Sequence, residues 1–155
     1  MNIRECLVSD RVSHLDQSAL LRVPPDATVR EAIALMRKHR SGCVLVCEDR
    51  RLRGIFTERD VLIRVFARGV DLDTPVNGVM TVQPVTVRPT DTVAQVIRHM
   101  VEGGYRHLPI VDEDGAPVGV VSGRGLIHYL VGYFPMAVYN LPPVPAQAEP
   151  SREGA

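Results

Sequence analysis

Two heptapeptides of similar chemistry stand out in this sequence. The first, GIFTERD, occupies residues 54–60 and carries the hydroxyl of Thr57 and the carboxylate of Asp60. We predict a strand that runs directly into a helix, with both groups on the first helical turn. A carboxylate there can accept hydrogen bonds from both hydroxyls of a ribose, and the free amides of a helix start favour a nearby anion. The same spacing is also that of an ordinary N-cap, so ribose binding and helix capping both remain open for Asp60.

The second heptapeptide, GVVSGRG at residues 119–125, keeps a hydroxyl in Ser122 but has Gly125 in place of the acid. Glycine has no side chain that could accept a hydrogen bond from ribose. A hydrogen bond to a charged group contributes about 1.5 to 3 kcal/mol, so its loss weakens binding roughly 10- to 100-fold. We therefore expect one competent site and one degenerate site.

An internal repeat organises the elements that position these groups. The segment PDATV at residues 25–29 matches PTDTV at residues 89–93, an offset of 64 that becomes 65 after an extra residue near Gly103 and Gly104. Each match is followed by apolar residues at the helical spacing i, i+3, i+4, i+7. Thr28 with Glu31, and Thr92 with Gln95, predict capping boxes at the helix starts. A hairpin and a further helix follow, so the predicted unit is strand, helix, strand, strand, helix, present twice about a pseudo-twofold axis.

The order of motifs in the second half resembles a CBS motif. It consists of Pro-x-x-Thr-Val, an apolar helix, GYRHLPIVD at residues 104–112 and then GVVS, and the first half resembles a second copy. The whole resembles a tandem CBS domain pair, or Bateman module. The expected division is repeat 1 at residues 7–70, a connector at 71–81, repeat 2 at 82–134 and a largely disordered tail at 135–155. The resemblance implies an α+β fold, often assembled as a homodimer, that binds adenosine-containing ligands without catalysis of its own.

The resemblance also implies which residues form each site. The family's ribose pattern, Gly-x-x-Thr/Ser-x-x-Asp, matches Gly54, Thr57 and Asp60, while the opening strand of the second repeat would hold the base and a basic pair the phosphate. The expected nucleotide-binding residues are Ile55, Thr57, Asp60, Pro84, Val85, Thr86, Arg106 and His107. The degenerate second site would combine Leu21, Arg22, Ser41, Gly42, Val120, Ser122 and Gly125. There Ser41 and Gly42 stand where the other site has Arg106 and His107.

The expected ligand is AMP, ADP or ATP. The protein is expected to form a homodimer whose shape changes with the ligand, and an unidentified protein partner is expected to recognise that shape. Arg106 and His107 disfavour S-adenosylmethionine, because its sulfonium gains nothing from two cationic neighbours. A binder of that ligand, and a structural dimer or scaffold with vestigial clefts, are the alternatives.

Composition narrows the function further. The 18 basic residues balance 18 acidic ones, which leaves no net field for nucleic acid or an anionic membrane. The cysteines are odd in number, and Cys43 and Cys47 alternate with Leu45 in a β-like run, which indicates reduced thiols and a cytoplasmic protein. Neither a leader peptide nor a membrane span is recognisable. The histidines lack metal-ligand spacing, so we expect no bound metal. No P-loop or nucleophile elbow occurs, so we expect that the protein carries no cofactor and is not an enzyme.

Overall fold

The computed structural model describes residues 3–133 of the 155. The predicted tail at residues 135–155 lies outside the described residues, as does residue 134 of the second repeat.

The first half of the chain contains three helices and three strands. In chain order these are α1 (Ile3–Ser9), a 3-10 turn (Val12–His14), β1 (Arg22–Val23), α2 (Val29–His39), β2 (Cys43–Glu48), β3 (Arg51–Thr57) and α3 (Glu58–Asp60). The single α turn of α3 continues as a π-helix over Val61–Phe66.

The second half follows the same plan. It contains a 3-10 turn (Val76–Gly78), β4 (Thr81–Val82), α4 (Val93–Gly103), β5 (His107–Val111), β6 (Pro117–Ser122) and α5 (Gly123–Tyr133). The opening strand predicted for the second repeat is reduced to a single parallel bridge between Val87 and Ile110.

The helix starts predicted from the repeat are confirmed. The amide of Glu31 donates to Thr28 Oγ1 at 3.1 Å, and the amide of Thr28 donates back to the Glu31 carboxylate at 3.1 Å. Thr92 and Gln95 form the same reciprocal pair at the start of α4. Each box satisfies amides that would otherwise lack a partner at the helix terminus, so both helices begin at equivalent places in the two repeats.

Each sheet is completed by a chain segment from outside its own hairpin. The first sheet has the order β1-β2-β3-β4, in which β4 lies at the end of the connector. The second consists of β5 and β6, with Ser18 bridged antiparallel to Val120 and Val87 bridged parallel to Ile110. The segment around Ser18 therefore lies beside β6 as β4 lies beside β3.

The hydrophobic cores show the same exchange. Leu7, Val12 and Leu15, which precede the first repeat's helix, pack in the core of the second repeat. Val76 and Val79 of the connector pack in the core of the first. A third cluster, formed by Cys43, Leu45, Ile55 and Val120, joins the two sheets. The two repeats thus form one α+β unit. The core of the second repeat is completed by the segment before β1, and the core of the first repeat is completed by the connector.

Candidate functional site

A cleft of about 740 Å³ opens between the two repeats, a volume typical of small-molecule sites. Its walls come from the end of β3 and the start of α3 on one side, and from the segments before and at the start of β5 on the other. Seven of the eight residues predicted for nucleotide binding line it: Ile55, Thr57, Asp60, Pro84, Val85, Arg106 and His107. Thr86 is not among the lining residues.

The cleft also contains side chains that the sequence did not single out. These are Glu58, Arg59, Leu62, Ile63, Arg64, Thr81 and Tyr105. Arg64 could have been suspected, since it lies one helical turn beyond Asp60. Thr81 could not, because only the pairing of β4 with β3, which sets Thr81 opposite Ile55, brings it there.

Asp60 caps the helix that carries it. One carboxylate oxygen, Oδ2, accepts from the amide of Thr57 at 3.0 Å and from its hydroxyl at 3.1 Å. The amide of Asp60 donates in return to Thr57 Oγ1 at 3.2 Å. The capping role that the sequence left open is therefore present, and it holds the carboxylate in one orientation at the wall of the cleft.

The other oxygen of Asp60 faces two donors from further along the chain. Arg64 Nε lies 3.4 Å from Oδ1, and Thr81 Oγ1 donates to it at 3.4 Å. Arg64 also donates to the carbonyl of Met80 at 2.7 Å, which ties the helix to the entry of β4. Asp60 is only 8% exposed, and these partners compensate the burial of its charge. Because both Oδ1 contacts are longer than a typical hydrogen bond, they are the weaker half of its coordination.

His107 packs directly against the first repeat. A Cβ atom placed on Gly42 would lie 2.8 Å from His107 Nε2, so any side chain at that position would collide with the imidazole. Burial lowers the pKa of His107, the nearby Glu58 carboxylate raises it, and Arg106 lowers it further. Gly42, which the sequence grouped with the second site, thus contacts a residue of the first.

The residues predicted for the second site belong to several elements of the fold. Leu21 belongs to the core of the first repeat, whereas Val120 belongs to the cluster between the sheets. The hydroxyl of Ser41 is turned back onto its own chain, where it donates to the carbonyl of Cys43 at 3.0 Å. Burial raises the pKa of the Cys47 thiol, and the nearby Arg22, which is exposed on β1, lowers this pKa in part.

The acid missing at Gly125 has a steric explanation. The hydroxyl of Ser122 accepts from the amide of Gly125 at 3.0 Å, so the cap of the first repeat is partly retained. A Cβ on Gly125, however, would lie 2.5 Å from the backbone carbonyl oxygen of Asp16. The segment that pairs with β6 therefore occupies the space that a side chain at residue 125 would need.

Residues 3–133 offer neither a metal-binding cluster nor a membrane-spanning helix. There, no three His, Cys, Asp or Glu side chains cluster as a metal would require. None of the helices in this part of the chain has the length and apolar character needed to cross a membrane.

Comparison with known proteins agrees with this architecture. Residues 12–67 and 76–132 each match the CBS domain family. The chain is 37% identical over 100 residues to the CBS domain-containing protein YhcV of Bacillus subtilis, which covers 64% of this chain and 71% of that protein.

Solved structures show the same pair of repeats. A conserved protein from Pyrococcus horikoshii superposes with a TM-score of 0.74 at 29% identity, covering 79% of this chain and 93% of that one. The CBS domain protein PAE2072 from Pyrobaculum aerophilum, solved in complex with AMP, has a TM-score of 0.73 at 30% identity and covers 83% and 99% of the two chains. The chain described here belongs to the CBS domain family and carries two CBS domains in tandem.

Proposed function

We propose that this protein is a regulatory module that binds an adenine nucleotide, AMP, ADP or ATP, in the cleft between its CBS domains and catalyses no reaction itself. One observation carries the proposal. Groups suited to a ribose, from the first repeat, and groups suited to a phosphate, from the second, line the same cleft. Proteins built from CBS domains alone are generally regulatory, and the related PAE2072 was solved with AMP.

The ribose would bind at Asp60. Its Oδ2 is committed to the cap, whereas Oδ1 is held by two contacts of 3.4 Å, from Arg64 and Thr81. Ribose hydroxyls can replace these longer contacts with shorter charge-assisted hydrogen bonds without breaking the helix start. Capping and ribose binding are therefore compatible roles for one carboxylate.

The phosphate would bind at Arg106 and His107. Arginine offers a planar pair of donors that matches a phosphate, and the imidazole adds a further donor. Arg59 and Arg64 also line the cleft. This excess of basic groups favours an anionic ligand over S-adenosylmethionine, whose sulfonium would be repelled.

Isothermal titration with AMP, ADP, ATP, adenosine and S-adenosylmethionine tests the proposal. We expect the phosphorylated ligands to bind more tightly than adenosine. Arg106→Gln should weaken AMP binding about tenfold and leave adenosine binding unchanged. Arg98→Gln is the matched control, because Arg98 is exposed on α4 and does not line the cleft. Absence of binding with all five ligands would refute the sensor and favour the scaffold alternative.

A homodimer is the second part of the proposal, and exposed apolar side chains support it. Leu62 and Phe66 are 66% and 62% exposed, and the residues 65 positions later, Ile127 and Val131, are 60% and 61% exposed. Both repeats thus present apolar side chains at equivalent helical positions. A second copy, related by a twofold axis, would cover both faces with the same contacts.

Sedimentation velocity tests the dimer. Leu62→Glu should shift a dimer toward monomer. Val118→Glu, a change of the same chemistry at a 46% exposed position on β6, should leave the mass unchanged. A wild-type monomer at all concentrations, or equal effects of the two variants, would contradict this interface.

A further inference from the structure

Glu58 stands between two cavities. It lines the cleft described above, and it also lines a second cavity of about 460 Å³ whose wall includes Arg37, Arg40 and Ser41. As the first residue of α3, it follows directly after Thr57, and its amide donates to the carbonyl of Gly42 at 3.0 Å. The side chain is therefore held at the boundary between the cleft and a space that contains two arginines.

The carboxylate of Glu58 lies at the end of the cleft where a phosphate is expected. Measured from the position of a Cβ on Gly42, His107 Nε2 is 2.8 Å away and Glu58 Cδ is 3.7 Å away. The influence of the Glu58 carboxylate on the pKa of His107 reflects the same proximity. A ligand phosphate that contacts His107 would thus approach a carboxylate as well.

No ion pair within the described part of the chain neutralises this carboxylate. The ion pairs found there include those of Arg30 with Asp73, Arg53 with Glu48 and Arg64 with Asp60, and none of these involves Glu58. An acid at the first position of a helix is favourable for the helix dipole, but that role does not require a place beside His107. The position of Glu58 imposes a negative charge on the phosphate end of the cleft.

We infer that Glu58 limits the number of phosphates on the ligand that the cleft accepts, and that it selects a nucleoside monophosphate over a triphosphate. This inference rests on the proposed function. One phosphate can be held by Arg106 and His107, whereas each further phosphate adds negative charge near the Glu58 carboxylate. Glu58 also lies on the wall of the cavity that contains Arg37 and Arg40, so its carboxylate stands next to the cations nearest the phosphate end of the cleft on that side.

The experiment compares the affinities of AMP and ATP by isothermal titration in EDTA, which keeps ATP free of magnesium. Glu58→Gln removes the charge and keeps the shape. Because Glu58 is exposed and its field is screened, the ratio of ATP to AMP affinity should rise about two- to fivefold. Glu113→Gln, the same change in the exposed turn between β5 and β6, should leave the ratio unchanged.

The outcomes separate the two claims. If wild type binds nucleotides but Glu58→Gln leaves the ratio as it was, Glu58 plays no part in selection and the inference fails alone. An equal rise with Glu113→Gln would show a general effect of net charge and would also overturn it. If wild type binds neither AMP nor ATP, the inference falls together with the proposed function.

Discussion

The contact between Gly125 and Asp16 makes a direct prediction about stability. In Gly125→Ala the new Cβ would lie 2.5 Å from a backbone oxygen, a separation that Cβ atoms essentially never show. The oxygen cannot move freely, because two residues later the amide of Ser18 donates to the carbonyl of Val120 at 3.0 Å. Overpacking of this kind destabilises a protein by about 1 to 3 kcal/mol, whereas replacing glycine by alanine within a helix stabilises the helix by up to about 1 kcal/mol. We expect a net loss of about 1 to 2 kcal/mol in the free energy of unfolding.

Gly132→Ala provides the control in the same helix. A Cβ on Gly132 meets no atom within 4 Å, so the variant should be as stable as wild type or slightly more stable. Urea unfolding followed by circular dichroism measures both. With a denaturant slope of about 2 kcal/mol per molar, Gly125→Ala should lower the midpoint by roughly 0.5 to 1 M. A Gly125→Ala protein as stable as Gly132→Ala would refute the packing of Asp16 against α5.

The same contact bears on the degenerate site. Restoring the acid by Gly125→Asp would bring a larger side chain into the space held by the Asp16 carbonyl. We therefore expect Gly125→Asp to destabilise the protein without creating a second nucleotide site.

Two further predictions follow from burial. Burial lowers the pKa of His107 below its ordinary value of about 6.5. The neutral imidazole therefore contributes fully to the stability of the folded protein above about pH 6.5, and this contribution is lost as the pH falls through the lower pKa of the folded state. A bound phosphate favours the protonated imidazole, so the affinity for AMP relative to adenosine should rise as the pH falls from about 8 to 6.5. In a titration series, His107→Asn should abolish this rise. A ratio of the two affinities that does not depend on pH in wild type would contradict the prediction. Burial raises the pKa of the Cys43 thiol to about 12, so a thiol reagent at neutral pH should modify Cys47 before Cys43. Cys43 should react only after urea is added. Equal rates of modification in the folded protein would refute this order.

The amino-acid sequence alone determined the repeat, its order of elements and the capping boxes. Thr28 with Glu31, and Thr92 with Gln95, are local signals, because a residue three positions away supplies the partner. The resemblance to CBS domain pairs then indicated eight nucleotide-binding residues, of which all but Thr86 line the cleft.

The tertiary structure decided what these residues face. Whether the carboxylate of Asp60 meets Thr81, and whether Gly125 meets the carbonyl of Asp16, depends on how segments far apart in the chain pair at the edge of each sheet. Such pairing is set by the register and by the burial of a shared core, which no local spacing encodes. The absence of an acid at residue 125 was visible in the sequence. Its physical reason, a backbone oxygen where a side chain would begin, appears only when the segment before β1 is packed on the second repeat.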